Sequence, residues 1–169
     1  MQVENFKLHY ETDEILHQKL ENFDLEQEID LKAIEAKMIE IMQESNGIGI
    51  SANQVGCDRR VIVIQPKGKN PFALFNPTVE SISEDAKDDE EGCLSFPGLF
   101  FKVKRPSKIT VKYVDTDKKE CIIELSGYDA RCVQHELDHL DGICFTDRVS
   151  SLKLNLARKK QRKYNGRTK

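Results

Sequence analysis

Two histidines and a glutamate are the residues whose types and spacing could do chemistry. In Gln134-His135-Glu136-Leu137-Asp138-His139 the histidines stand at i and i+4, so on a helix they share one face, about 6 Å apart one turn up. That spacing lets both imidazoles reach a single divalent ion. Glu136 then points beside the ion rather than onto it, where it can take a proton from water. The bland alternative is an exposed helix that happens to carry two histidines and some acids. The chain has only 4 histidines, and two in this register with the glutamate between them favour the metal reading.

A catalytic ion of this kind needs a third protein ligand and an open position. Where an extended histidine motif would place a third histidine, this chain has Phe145, and no glutamate follows Glu136. Asp141 and Asp147 remain as downstream carboxylates. Otherwise the ligand lies upstream, where cysteine is the leading donor. Cys132 is a poor choice: its position and that of His139 are about 10 Å apart along a helix axis, and a thiolate binds at about 2.3 Å. Cys132 reads as pocket wall. Cys57, Cys121 and Cys144 have no supporting context, whereas Cys93 does.

The elements that must position these groups can be read from periodicity. From about Asp24 to Ser45 the spacing of Leu31, Ile34, Met38 and Ile41 predicts a helix, with Asp24 and Gln27 as a capping box and Asn46-Gly47 as its end. Arg60 to Gln65 reads as a strand closed by Pro66 and Gly68. Further strands are expected at Phe72 to Phe75 and Thr78 to Ser83, and a hairpin from Ile109 to Val114 and Cys121 to Leu125 around Asp115-Thr116-Asp117-Lys118-Lys119. The acidic run Glu84 to Glu91 reads as a solvated loop. Tyr128 to Leu140 is the helix of the histidine motif, stopped by Asp141-Gly142. A last helix should begin near Ser150 and fray near Asn165-Gly166. Strands and helices segregate, so the class is α+β: a central helix carrying the histidines against antiparallel sheets, with an N-terminal helix and a basic C-terminal helix.

With 169 residues and no internal repeat, one domain spanning 1–169 is expected. A net charge of −3 supplies no global basic field for nucleic acid. The charge is uneven, however: from Lys153 to Lys169 there are 8 Lys or Arg residues and no acid. No apolar run is long enough to span a membrane, and the first residues lack the apolar stretch of a secretory signal. The 5 cysteines, odd in number and irregularly spaced, do not form a disulfide framework. They indicate a reducing, cytoplasmic setting.

Three segments together resemble one family. Glu91-Gly92-Cys93-Leu94-Ser95 is identical to the cysteine motif EGCLS of the peptide deformylases. Gln134 to His139, followed by Leu140-Asp141-Gly142, fits their QHExDH motif and its LxG continuation. Gly47-Ile48-Gly49-Ile50-Ser51-Ala52-Asn53-Gln54 resembles their glycine motif GxGLAAxQ. The segments occur in the family's order, and Arg105-Pro106 before a hairpin and Ser150-Ser151-Leu152-Lys153 before a basic tail are weaker echoes. In this chain Ile50-Ser51 replaces Leu-Ala, and Tyr10 to Glu14 lacks both prolines of the usual N-terminal segment.

The resemblance implies a monomeric hydrolase that removes the formyl group from the N-terminal formyl-methionine of nascent polypeptides. Cys93, His135 and His139 would bind one divalent metal ion. The donor set admits Zn²⁺, Fe²⁺, Co²⁺ or Ni²⁺, and the resemblance favours Fe²⁺. Glu136 would act as general base and then acid, with Gln54 and the Leu94 N–H stabilising the oxyanion. Gly49 and the strand near Gly98 would hold the peptide backbone, and Ile48, Arg131, Cys132 and His135 would border the methionine pocket. Phe100 and Phe101 would make its rim aromatic. Asp138 reads either as a solvated helix residue or as an acceptor that orients a ligand or pairs with Arg105. In bacterial relatives a C-terminal helix docks near the peptide exit, so the basic tail would contact the ribosome. The rivals are a metallopeptidase, which would not need Cys93, and an inactive relative that only binds formylated peptides.

Overall fold

The computed structural model describes residues 2–165. Its elements in chain order are α1 (Leu31–Glu44), β1 (Gly49–Ser51), a 3₁₀ turn (Ala52–Val55), β2 (Val61–Ile64), β3 (Phe72–Ile82), β4 (Ala86–Gly92), β5 (Phe100–Pro106), β6 (Lys108–Val114), β7 (Glu120–Ser126), α2 (Gly127–Leu140), a second 3₁₀ turn (Phe145–Arg148) and α3 (Ser151–Asn165). Two further 3₁₀ turns, Val3–Asn5 and Glu14–His17, precede α1. All strand pairs are antiparallel. Five strands form one sheet in the order β1-β2-β3-β6-β7, and β4 and β5 form a separate ribbon. This is the expected α+β arrangement.

The main core lies between the five-stranded sheet and the two helices α1 and α2. Helix α1 buries Leu31, Ile34, Met38, Ile41 and Met42, the stripe that its spacing predicts. Every residue of β2, Val61-Ile62-Val63-Ile64, is buried, as a short apolar strand covered on both faces should be. From α2, Ala130, Val133, Leu137 and Leu140 join the same cluster. A smaller cluster of Leu16, Phe96, Leu99, Phe101, Val103, Cys144 and Phe145 fills the space beneath the ribbon, with Leu154 and Ala157 of α3 against it. Phe145 stacks on Phe101 with ring centroids 4.4 Å apart. It is a packing residue at the place where a third histidine was considered.

Three expectations need correction. Helix α1 starts at Leu31, not near Asp24, because Asp30 is its cap and accepts the Ala33 N–H at 2.9 Å. Asp24 spends its carboxylate on a local turn, accepting from Glu26 N and Gln27 Nε2. Most of the acidic run is not a loop but strand β4, preceded by Glu84 and Asp85 in the connection, and its Asp88, Asp89 and Glu90 are exposed as the solvated reading expected. Its register sets Asp88 opposite Lys104 and Glu90 opposite Lys102, so β5 places opposite charges across the ribbon. Phe72 to Ile82 is one strand rather than two, with register irregularities between Phe75 and Thr78 and between Val79 and Ser81. The hairpin β6–β7 and helix α2 lie where expected.

Helix α3 follows Ser150 as expected, and the Gly166 end of its expected fraying lies outside the described residues. Its inner side is fastened to the loop before β5. Gln161 Nε2 donates to the Pro97 carbonyl at 2.6 Å, and Arg158 makes a two-point ion pair with Glu11. Glu11 in turn donates its backbone N–H to the Ser95 carbonyl at 3.0 Å. Among the described residues no helix is long and apolar enough to cross a membrane.

Candidate metal centre and catalytic cleft

An open cleft of about 610 Å³ runs between β1, the loop that follows β4, and helix α2. Cys93 and His135 line it and converge with the buried His139, with one donor atom from each within 4.8 Å of the others. The Cys93 Sγ to His139 Nε2 distance is 3.2 Å. The helix supplies the two histidines one turn apart, with ring centroids at 5.0 Å. The third donor comes from the residue just past the end of β4. Asp141 is engaged with Arg60 at 2.7 Å and Asp147 accepts the Cys144 N–H at 2.9 Å, so neither downstream carboxylate belongs to this cluster.

A divalent ion fits this donor set. A thiolate and two imidazoles are the ligand types that borderline divalent metals take, and three protein ligands leave the fourth position open. Two buried atoms here, Glu136 Oε2 and His139 Nδ1, have no hydrogen-bond partner among the described residues. Burial raises the Glu136 carboxyl to about 7 and holds His139 well below its ordinary value. Burial would also lower His135, but its hydrogen bonds to Cys93 and Glu91 prevail and raise it to about 10.

Behind the ligands lies a buried ionic cluster. His135 Nδ1 faces Glu91 Oε2 at 3.0 Å, which leaves Nε2 for the cleft. Glu91 also accepts from Arg105 Nε at 2.7 Å and Nη2 at 3.0 Å, and from Arg131 Nη1 at 2.7 Å. Burial alone would raise Glu91, yet the His135 and Arg105 bonds hold it down at about 2. Arg105 reaches on to Asp138 Oδ2 at 2.6 Å, and Arg148 pairs with the same carboxylate. Asp138 is therefore a paired, buried residue, as its orienting reading anticipated, and not a solvated one.

Gln54 sits on the 3₁₀ turn after β1, whose capping box joins Ser51 and Gln54. Its Oε1 accepts the Ser51 N–H at 2.9 Å. Its Nε2 therefore turns towards the cluster, 3.0 Å from Ser95 Oγ and 3.4 Å from Cys93 Sγ. The motif glycines are required by contact. A Cβ on Gly49 would stand 2.5 Å from Cys132 Sγ and 2.7 Å from Glu136 Oε1, and one on Gly92 would enter the Phe100 ring at 2.3 Å.

The structure brings Ile48, Gly49, Gln54, Cys93, Leu94, Gly98, Cys132, His135 and Glu136 to the cleft. Arg131 is not among the lining residues. It is buried and turned the other way, donating to Glu91, to the Val103 carbonyl and to the Lys87 carbonyl, each at 2.7 Å. The expectation that it borders the pocket is corrected accordingly: a guanidinium with these buried acceptors stays with them. Phe100 lies on the rim and Phe101 in the core. Sequence reasoning gave no role to Glu91 or Ser95, and did not place Tyr10 and Tyr128 on the rim. Glu91 could have been found, since residues i and i+2 of an extended segment share a side and Cys93 is its i+2 neighbour.

Comparison with known proteins agrees with this geometry. The family model described as polypeptide deformylase matches residues 6–155. A peptide deformylase of Thermodesulfovibrio yellowstonii is 44% identical over 152 residues, covering 88% of this chain and 91% of the relative. Among solved structures, a peptide deformylase of Synechococcus elongatus in complex with actinonin superposes with a TM-score of 0.85 at 36% identity, covering 92% of this chain and 87% of that one. A peptide deformylase of Legionella pneumophila gives a TM-score of 0.85 at 34% identity, covering 96% of each chain. Matched in sequence along nearly its whole length and in the folding of the cleft, the chain belongs to the polypeptide deformylase family.

Proposed function

We infer that this cleft hydrolyses the N-terminal formyl group of formyl-methionyl polypeptides, releasing formate and a free amine. The observation that carries the reading is the buried Glu136 carboxylate beside the Cys93, His135 and His139 donors, with the Gln54 amide N–H facing Cys93 from the other side. Cys93, His135 and His139 would hold the metal. When bound, a divalent ion supplies Lewis acidity and lowers the pKa of water towards about 7. Fe²⁺ is the working ion in this reading, and Zn²⁺, Ni²⁺ or Co²⁺ also suit the ligands.

The chain's own residues do the rest. Glu136 takes the proton of the attacking water and later gives it to the departing amine as the C–N bond breaks. Gln54 Nε2 and the Leu94 N–H donate to the formyl oxygen as it gains negative charge. Gly49 and Gly98 both line the cleft and would hold the peptide extended, while Ile48 and Cys132 border the methionine side chain. A metallopeptidase that dispenses with Cys93 is disfavoured, because the cysteine stands within the ligand triangle. An inactive binding relative is disfavoured because base, ligands and oxyanion donors are all present.

The test is anaerobic. The Fe²⁺ or Ni²⁺ protein is given formyl-Met-Ala-Ser, and free amine is followed with Glu136→Ala alongside. Turnover by the parent and a loss of about 10²–10⁴-fold in the variant is the expected result, whereas a folded, metal-loaded parent without turnover would overturn the reading. The setting is the cytoplasm and the working form a monomer. Exposed Lys159, Lys160, Arg162 and Lys163 on α3 support a contact with ribosomal RNA phosphate, which would weaken steeply with salt. Equal pelleting with ribosomes at low salt, with and without residues 153–169, would argue against that contact.

A further inference from the structure

The turn that carries Gln54 is bonded to the end of the metal-binding helix through two side chains that no step above uses. Asn53 is fully buried, and its Nδ2 donates to the His139 backbone carbonyl at 2.5 Å. Its Oδ1 accepts from the Ser51 hydroxyl at 2.8 Å. The Ser51 hydroxyl also lies 3.0 Å from Gln54 Oε1. Proton directions along this chain are forced. The His139 carbonyl can only accept, so the Asn53 NH₂ must face it. Asn53 Oδ1 then faces Ser51, whose hydroxyl must donate. Gln54 Oε1, receiving the Ser51 N–H, is turned inward, and the only face that the Gln54 amide can show to Cys93 is its NH₂.

The His139 carbonyl lies in the last turn of α2, where carbonyls run out of partners within the helix. Among the described residues it also receives the Gly142 N–H at 3.0 Å. A side-chain amide at that point joins two pieces of chain 86 positions apart. One carries a metal ligand and the other carries the donor that faces the reacting oxygen. Buried polar networks of this kind fix geometry because each member left unpaired is costly.

We propose that Asn53, keyed by the Ser51 hydroxyl, is a positioning residue that ties the Gln54 turn to the His139 carbonyl and so sets the oxyanion donor's place relative to the metal ligands. The proposal rests on the deformylase reading above for its effect on rate, but not for its effect on the metal site. Neither Asn53 nor Ser51 touches the substrate in this account. Their loss should act on kcat, where oxyanion placement is felt, and leave KM nearly unchanged.

The experiment compares Asn53→Ala, Ser51→Ala and the double variant, each loaded with Ni²⁺ for kinetics and with Co²⁺ for visible absorption. Asn53→Ala is expected to lower kcat by about tenfold or more, since small misplacements at a reacting centre are amplified in rate. Ser51→Ala should lower it by about threefold, the scale of one net hydrogen bond. KM should stay within about twofold for both. The double variant should be slower than Asn53→Ala by less than the factor of Ser51→Ala alone, because the hydroxyl acts partly through the Asn53 amide and partly on Gln54 Oε1. The Co²⁺ band of Asn53→Ala should shift as His139 moves, with one ion still bound per chain. An unchanged kcat in Asn53→Ala, or losses that simply multiply in the double variant, would overturn the proposal. If Asn53→Ala does not fold, Ser51→Ala decides: a kcat equal to the parent's sinks the tie. If the parent itself shows no deformylation, the functional reading fails, and the tie is judged on the Co²⁺ spectrum, where no shift in Asn53→Ala refutes it.

Discussion

The two sides of the cleft are built from opposite materials. On the inner side Glu91 lines the cleft, and behind it Arg105, Arg131 and Asp138 are buried and multiply bonded. The outer rim is made of large side chains left open to solvent: Tyr10 at 50%, Ile48 at 39%, Phe100 at 54% and Tyr128 at 63% exposure. A buried ionic cluster has one arrangement that satisfies all its members, so it fixes position at the expense of tolerance. An exposed apolar rim fixes little, and it offers contact area to a chain lying across it. The molecule therefore holds its chemistry rigidly and its peptide loosely.

The comparison breaks most visibly at the inner wall. Replacing Glu136 by alanine should lower kcat by about 10²–10⁴-fold, the range of a general acid–base group, with metal content unchanged. Loss of the metal along with the rate would instead place Glu136 among the ligands. Arg105→Ala leaves Glu91 and Asp138 short of a partner and should cost about 3–5 kcal/mol of stability, read from urea unfolding. A smaller loss would mean that Arg131 and Arg148 compensate. Gly49→Ala pushes a methyl group onto Glu136 and Cys132 and should slow turnover by about a hundredfold while the fold survives.

The same wall has a pH signature. Glu91 has a folded value of about 2 against an ordinary 4.5. Its contribution to stability is complete above pH 4.5 and is lost as pH falls from 4.5 through about 2. Unfolding free energy measured from pH 6 downward should fall more steeply for the parent than for Glu91→Gln. Parallel curves would show that the carboxylate is no better held than in the unfolded chain. At the rim the expected effects are smallest. Phe100→Ala should leave kcat and stability nearly unchanged and alter KM by about threefold, in the range of an exposed substitution. A large fall in kcat would move Phe100 from the rim into the catalytic group.

Much of this was legible in the sequence, for local reasons. The histidine motif, β2, the β6–β7 hairpin and the stripe of α1 are periodic or punctuated, and the three motifs marked the floor of the cleft. What was not legible depends on chain segments that meet only in three dimensions. Glu84 to Glu91 looks like a loop until β5 supplies Lys102 and Lys104 opposite it. Arg131 is a pocket residue only by carry-over from the family resemblance. Its true partner, Glu91, is 40 positions away and reaches it only because the β4–β5 ribbon lies behind α2. Asp24 and Asp30 are both adequate caps by composition, and in the fold it is Asp30 that caps a helix whose first residue, Leu31, is buried.

The fastening of α3 has a consequence in time. The loop from Ser95 to Gly98 is held by Gln161 on the Pro97 carbonyl, and by Glu11, itself gripped by Arg158, on the Ser95 carbonyl. Synthesis runs from the N-terminus, and domains acquire structure as they emerge. The two segments that clasp this loop are made nearly a full chain length apart. Every strand and both histidines exist before residue 158 has been added. The clasp on this wall of the cleft can therefore form only after Arg158 and Gln161 have been added, later than every residue that carries the chemistry.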